Sequence, residues 1–129
     1  MDNPNKPKPC PKWLDDMAKK EWRRLAKLFV AENKEFTDKD LKALEAYCTN
    51  YAKWKRCEEI LAEYGYTMEV GQNGYVQQRP EVSISNKAQT EMRAWAKELG
   101  LTPASRRRMR ESIMNEGYDP EMEDMISHD

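Results

Sequence analysis

Two long segments in which apolar side chains recur at the 3.6-residue period of an α-helix constrain this chain more than any other feature. In the first, Leu14, Met17, Ala18, Trp22, Leu25, Leu28 and Phe29 fall on one side of a helical wheel, and Lys12, Lys19, Lys20, Arg23, Arg24 and Lys27 fall on the other. The pattern predicts an amphipathic helix with a basic back, starting after Pro11. Asn33-Lys34-Glu35-Phe36 interrupts it, and Thr37-Asp38-Lys39-Asp40 then offers a hydroxyl N-cap with an acid three residues on. A second helix is expected from there to about Tyr64. Leu41, Leu44, Cys48 and Ala52 form one stripe on it, and Tyr47, Tyr51, Trp54 and Leu61 an adjoining one. That arc is wider than one partner helix covers, so the helix needs two neighbours, one of which can come from another subunit.

Gly65 should end the second helix. Tyr66, Met68 and Val70 then alternate with polar residues, Asn73-Gly74 supplies a positive-φ pair, and Tyr75-Val76 returns, which predicts a small β-hairpin closed by Pro80. Ser83 or Ser85 can cap a third helix carrying Ile84, Ala88, Met92, Trp95 and Leu99 at helical spacing. Gly100 stops it. Thr102-Pro103 is a cap followed by proline at the first helical position, where its missing N–H costs nothing, so a short fourth helix begins there and ends before Asp119-Pro120.

The fold class that follows is all-α, an antiparallel hairpin of the first two helices with one small β-hairpin and two shorter C-terminal helices. Trp13, Trp22, Leu25, Phe29, Leu41, Leu44, Cys48 and Tyr51 are expected to supply much of the core. Residues 1–11, with Pro4, Pro7, Pro9 and Pro11, read as an extended arm, residues 12–112 as the folded domain, and residues 113–129 as an acidic tail without fixed structure. With 35 % charged residues and a mean hydropathy of -1.02, the chain has little apolar surface for so much helix, and oligomerisation would complete its core. Tyr47, Tyr51, Trp54 and Leu61 are the candidate subunit interface.

The net charge of -1 conceals an asymmetry. Residues 111–129 hold seven acids and no Lys or Arg, so residues 1–110 carry all 22 cations against 16 of the 23 acids. A basic body suits nucleic acid, and an acidic tail suits a protein partner or self-screening. The same split is also compatible with ordinary solvated charge.

Little else in the chain suggests catalysis. Gly71 and Gly74 are not followed by the Lys-Ser/Thr pair of a phosphate-binding loop. His128, the one histidine, stands beside the C-terminus without an orienting group, so no base serves a Ser or Cys nucleophile. Asp119, Glu121, Glu123 and Asp124 have no scaffold to hold metal ions, and Cys10, Cys48 and Cys57 lack CxxC spacing. No catalytic residue, metal ligand, cofactor or membrane segment is expected, and the thiols read as those of a reduced cytoplasmic protein.

Two basic surfaces remain as DNA-binding candidates. One is Lys19, Lys20, Arg23, Arg24 and Lys27 on the first helix. The other is Arg106, Arg107, Arg108 and Arg110 on the fourth, where helix, glycine-containing turn and capped basic helix give the outline of a helix-turn-helix. An ordinary helix hairpin with a solvated Arg face has the same outline. A dimeric helix-turn-helix transcriptional regulator using residues 85–112 is the alternative function.

The order of these features resembles the phage terminase small subunits of cohesive-end siphophages. The resemblance rests on Pro11 with Trp13-Leu14, Glu21-Trp22-Arg23-Arg24-Leu25, Thr37-Asp38-Lys39-Asp40 with Tyr47-Cys48 and Tyr51, the Asn73-Gly74 hairpin ending at Pro80, and Leu99-Gly100-Leu101-Thr102-Pro103-Ala104-Ser105-Arg106 with Arg108. It covers roughly residues 11–110. It implies a regulatory subunit acting in the bacterial host cytoplasm that assembles into a homo-oligomeric ring, recognises double-stranded phage DNA and recruits a large subunit carrying the ATPase and nuclease. The N-terminal arm is too brief for a separate DNA-binding domain, so DNA contact falls to the body or the ring edge.

Overall fold

The computed structural model describes residues 9–32, 37–107 and 111. In chain order they form α1 (Asp16–Ala31), α2 (Asp38–Tyr64), β1 (Thr67–Val70), β2 (Tyr75–Gln78) and α3 (Pro80–Glu98), with residues 103–107 helical again. The chain is mostly helical with one small antiparallel sheet.

α1 starts later than the apolar period suggests, because the Asp15 carboxylate accepts the Ala18 N–H at 2.9 Å and sets the first turn there. Lys12 and Trp13 therefore lie before the helix. Trp13 is 65 % exposed, which removes it from the core, whereas Leu14 is buried. α2 begins with the expected capping box: the Asp40 N–H donates to Thr37 Oγ1 at 3.3 Å, and the Thr37 N–H donates to Asp40 Oδ2 at 3.0 Å. It ends at Gly65, whose φ of 83° an L-residue adopts only under strain.

The β-ribbon has Val70 opposite Tyr75 and Thr67 opposite Gln78, so residues 71–74 connect the strands. The turn is thus a four-residue loop with positive φ at Gly71 and Gly74, in place of the two-residue turn expected at Asn73-Gly74. Pro80 opens α3 at its first helical position, so neither Ser83 nor Ser85 is the cap. Ser85 lies inside the helix, buried, and donates to the Glu58 carboxylate of α2 at 2.5 Å. α3 ends in a Schellman motif: Leu101 N–H bonds Ala96 O and Gly100 N–H bonds Lys97 O, with Gly100 at φ 72°. Thr102 caps the next helical turn, its Oγ1 accepting the Ser105 N–H at 3.1 Å while Ser105 Oγ accepts the Thr102 N–H at 3.2 Å.

The main core gathers Leu14, Ala18, Trp22, Leu25, Ala26 and Phe29 from α1 and its approach, Ala43, Leu44, Cys48 and Ala52 from α2, and Leu99. Leu41 and Tyr47 pack at its edge, and Tyr51 is half-buried. α2 does have two neighbours, but both belong to this chain: α1 and, more extensively, α3. The sequence reading paired α2 with α1 and looked to another subunit for the rest of its apolar arc, which α3 covers in large part. The expected structure of residues 1–8, of the break at Asn33–Phe36, and of the acidic tail lies outside the described residues.

Candidate nucleic-acid interface

The buried side chains of α1 fix which way its cations point. Ala18, Trp22, Leu25, Ala26 and Phe29 face the core, and this leaves Lys20, Arg23 and Lys27 exposed, with Lys19 half-buried at the margin. Lys20, Arg23 and Lys27 follow i, i+3, i+7 spacing and so share one stripe. About 10 Å of helix axis separates the first from the last. None of these four cations makes an ion pair with a described residue.

Arg24 is different. Its guanidinium donates twice to Glu21, Nε to Oε1 at 2.7 Å and Nη2 to Oε2 at 2.9 Å, and the Glu21 side chain is only 4 % exposed. A buried carboxylate is costly unless it is paired and hydrogen-bonded, and Arg24, itself 60 % exposed, performs that task from the surface. The pairing raises the Arg24 pKa further above its already high ordinary value. Burial, and then the Glu21 charge, push the Tyr47 hydroxyl and the Cys48 thiol each up to about 12. Arg24 thus belongs to a structural network of Glu21, Tyr47 and Cys48, which sets it apart from the open stripe. The i, i+3 spacing of Glu21 and Arg24 was visible in the sequence, but the burial of Glu21 was not.

The second basic surface is partly occupied. Arg106 donates through Nε to the Gly100 carbonyl at 3.1 Å and through Nη2 to Glu32 at 3.1 Å, tying the helical turn after Thr102 to the C-cap of α1. Arg107 is exposed, and Arg108 and Arg110 lie outside the described residues. Nothing local in the sequence pairs Arg106 with Glu32, since 74 positions separate them.

Of the candidate interface residues, Leu61 is buried within the chain at 6 % exposure, and Tyr47 sits beside Glu21. Tyr51 and Trp54 are half-buried, their rings 6.2 Å apart, and the buried Trp54 indole N–H finds no acceptor among the described residues. The three cysteines are free. Cys48 and Cys57 are buried, and burial, with the nearby Glu81 and Glu58 charges, also raises the Cys57 thiol pKa. Among the described residues no cluster of His, Cys, Asp and Glu could hold a metal ion, and no helix is long and apolar enough to cross a membrane.

Residues 18–115 match the model of a family described as phage terminase, small subunit. The match spans α1 through the helical turn after Thr102, well over half of the 129 residues. No curated protein and no solved structure gives a significant match.

Proposed function

The chain belongs to the phage terminase small subunits, whose role lies in phage genome packaging, and from that premise we propose that it contacts double-stranded phage DNA through the exposed stripe of α1. In this reading it is the non-catalytic, DNA-recognising component, and the ATPase and nuclease belong to a large subunit that it recruits. The observation that carries the reading is the set Lys20, Arg23 and Lys27, exposed and without an ion-pair partner among the described residues, along one face of a helix whose opposite face is locked into the core. Lys19 flanks the stripe. Arg107 can add a contact from the neighbouring turn, whereas Arg24 and Arg106 are already committed to Glu21 and Glu32.

Phosphate contacts of this kind supply affinity without sequence information. Selection of a viral site then requires either base contacts or sequence-dependent DNA shape, and a ring of subunits would multiply weak contacts along the duplex. Tyr51 and Trp54 are the proposed subunit contact, because of the four candidate residues on α2 they are half-buried while Leu61 is buried within the chain and Tyr47 sits beside Glu21.

The test is the salt dependence of duplex binding, read by fluorescence anisotropy. Changing Lys20, Arg23 and Lys27 together to Gln is expected to flatten the slope of log K against log salt by roughly three. An unchanged slope and affinity would overturn the α1 assignment. Native mass spectrometry tests the assembly, since a ring of higher order supports this reading and a monomer or twofold dimer would overturn the ring.

A further inference from the structure

We propose that the basic stripe of α1 has a second occupant within the same chain, the acidic segment 111–129, which competes with DNA for Lys20, Arg23 and Lys27. This inference rests on the DNA-binding reading above and adds a means of regulating the same face.

Three observations converge on it. The first is charge complementarity: the stripe is cationic and has no ion-pair partner among the described residues, and residues 111–129 carry Glu111, Glu116, Asp119, Glu121, Glu123, Asp124 and Asp129 with no Lys or Arg. The second is that other acids of the body are spent elsewhere, while Asp16, one turn before Lys20, makes no ion pair with it. Glu21 serves Arg24, Glu32 serves Arg106, Asp15 serves Arg56, and Glu58 accepts from Ser85. None of these four acids pairs with the stripe.

The third observation is the tether. Arg106 is bonded to Glu32, and Glu32 is the C-cap of α1, so the chain sets out toward its C-terminus from beside the end of that helix. Lys27 lies five residues before Glu32, about 8 Å along the axis. Residues 103–107 and 111 are helical, which puts Glu111 about 8 Å along that axis from Arg106, and the thirteen residues from Glu111 to Asp124 have a contour of up to about 43 Å, more than the roughly 24 Å length of α1. The acids therefore reach every cation of the stripe, at an effective concentration of the order of millimolar for a short connection. Each exposed ion pair is weak and screened by salt, but several in parallel, held by a tether, compete with duplex bound only through its phosphates. A viral site that also supplies base or shape contacts displaces the tail more readily than non-specific duplex does. The tail then acts as a filter against non-specific DNA.

The experiment uses the full chain with Glu116, Asp119, Glu121, Glu123 and Asp124 changed to Gln or Asn. Binding of a non-specific duplex is followed from low to high salt. The neutral-tail variant is expected to bind at least threefold more tightly at low salt, with a steeper salt slope, because the wild-type tail takes up part of the counterion release that DNA binding would otherwise give. The two curves should meet at high salt. General repulsion between tail and DNA would also raise affinity, so contact is read separately by zero-length carbodiimide crosslinking without DNA. Links from Lys20 or Lys27 to tail carboxylates of the same chain, lost when duplex is added, support the inference. Absence of such links, links only between different chains, or a neutral tail that leaves affinity and slope unchanged would each overturn it. If the Lys20, Arg23 and Lys27 to Gln variant binds DNA like the wild type, the α1 reading itself fails, whatever the tail does.

Discussion

Replacing Arg24 by Ala separates structural charge from functional charge on α1. In the folded chain Glu21 is almost fully buried and takes both of its strong hydrogen bonds from Arg24, with Tyr47 beside it. Arg24→Ala leaves that carboxylate unpaired in the interior, and removing one partner of a buried ion pair costs about 3–5 kcal/mol. The nearby Tyr47 hydroxyl and the partial solvation of the surface partner argue for the lower end, about 3 kcal/mol. The reverse change is milder. Glu21→Gln retains a hydrogen-bonding side chain of the same shape and frees an arginine that is already 60 % exposed, so its cost should be about 1 kcal/mol. Urea unfolding at fixed protein concentration measures both, and urea avoids the screening that a guanidinium salt would impose. With a slope of about 1.5–2 kcal/mol/M, Arg24→Ala should lower the midpoint by about 1.5–2 M, and the double variant should recover much of that loss. If Arg24→Ala costs no more than Glu21→Gln, Glu21 is hydrated in the folded protein and the network described here is wrong. DNA binding by folded Arg24→Ala should keep the wild-type salt slope within about one unit, since Arg24 lies outside the open stripe.

Leu44 has no exposed surface, and Leu44→Ala should cost about 2–5 kcal/mol in the same unfolding assay. Thr102→Ala removes the side-chain acceptor for the Ser105 N–H and should cost about 1 kcal/mol, seen as a lower melting temperature. Gly74→Ala places a Cβ at φ 67° and should cost about 1–2 kcal/mol even though the space around it is open. Tyr47 and Cys48 ionise near 12 in the folded chain against about 10 and 8.5 when unfolded. The folded state thus holds their protons more tightly, and the stability they contribute is complete below about pH 8.5 and is lost as pH rises toward 12. A melting temperature that stays flat from pH 8 to 11 would contradict their burial. Alkylation of Cys48 at pH 8 should proceed only as fast as the chain opens.

Sequence alone determined the features that are set over a few residues. Apolar side chains at helical spacing placed α1, α2 and α3, and Thr37 with Asp40 set the start of α2, because a capping box closes within four residues. Gly65 and Gly100 ended their helices through a backbone conformation that glycine alone adopts cheaply, and Thr102-Pro103 started the last helical turn. The cations of α1 were legible for the same reason: one helix turns its faces at a known rate. What periodicity cannot say is which apolar face meets which. Tertiary packing decided that α3 covers much of the α2 arc, drawing Leu61 into the chain and making Ser85 a partner of Glu58 in place of a cap. It decided that Glu21 is buried and so engages Arg24, and that Glu32 holds Arg106 from 74 residues away. Each of these outcomes depends on distances between segments that the local chain does not fix. Which arginines and lysines stay free for a ligand is therefore a property of the folded molecule, because a cation is available only where packing has brought no carboxylate to it.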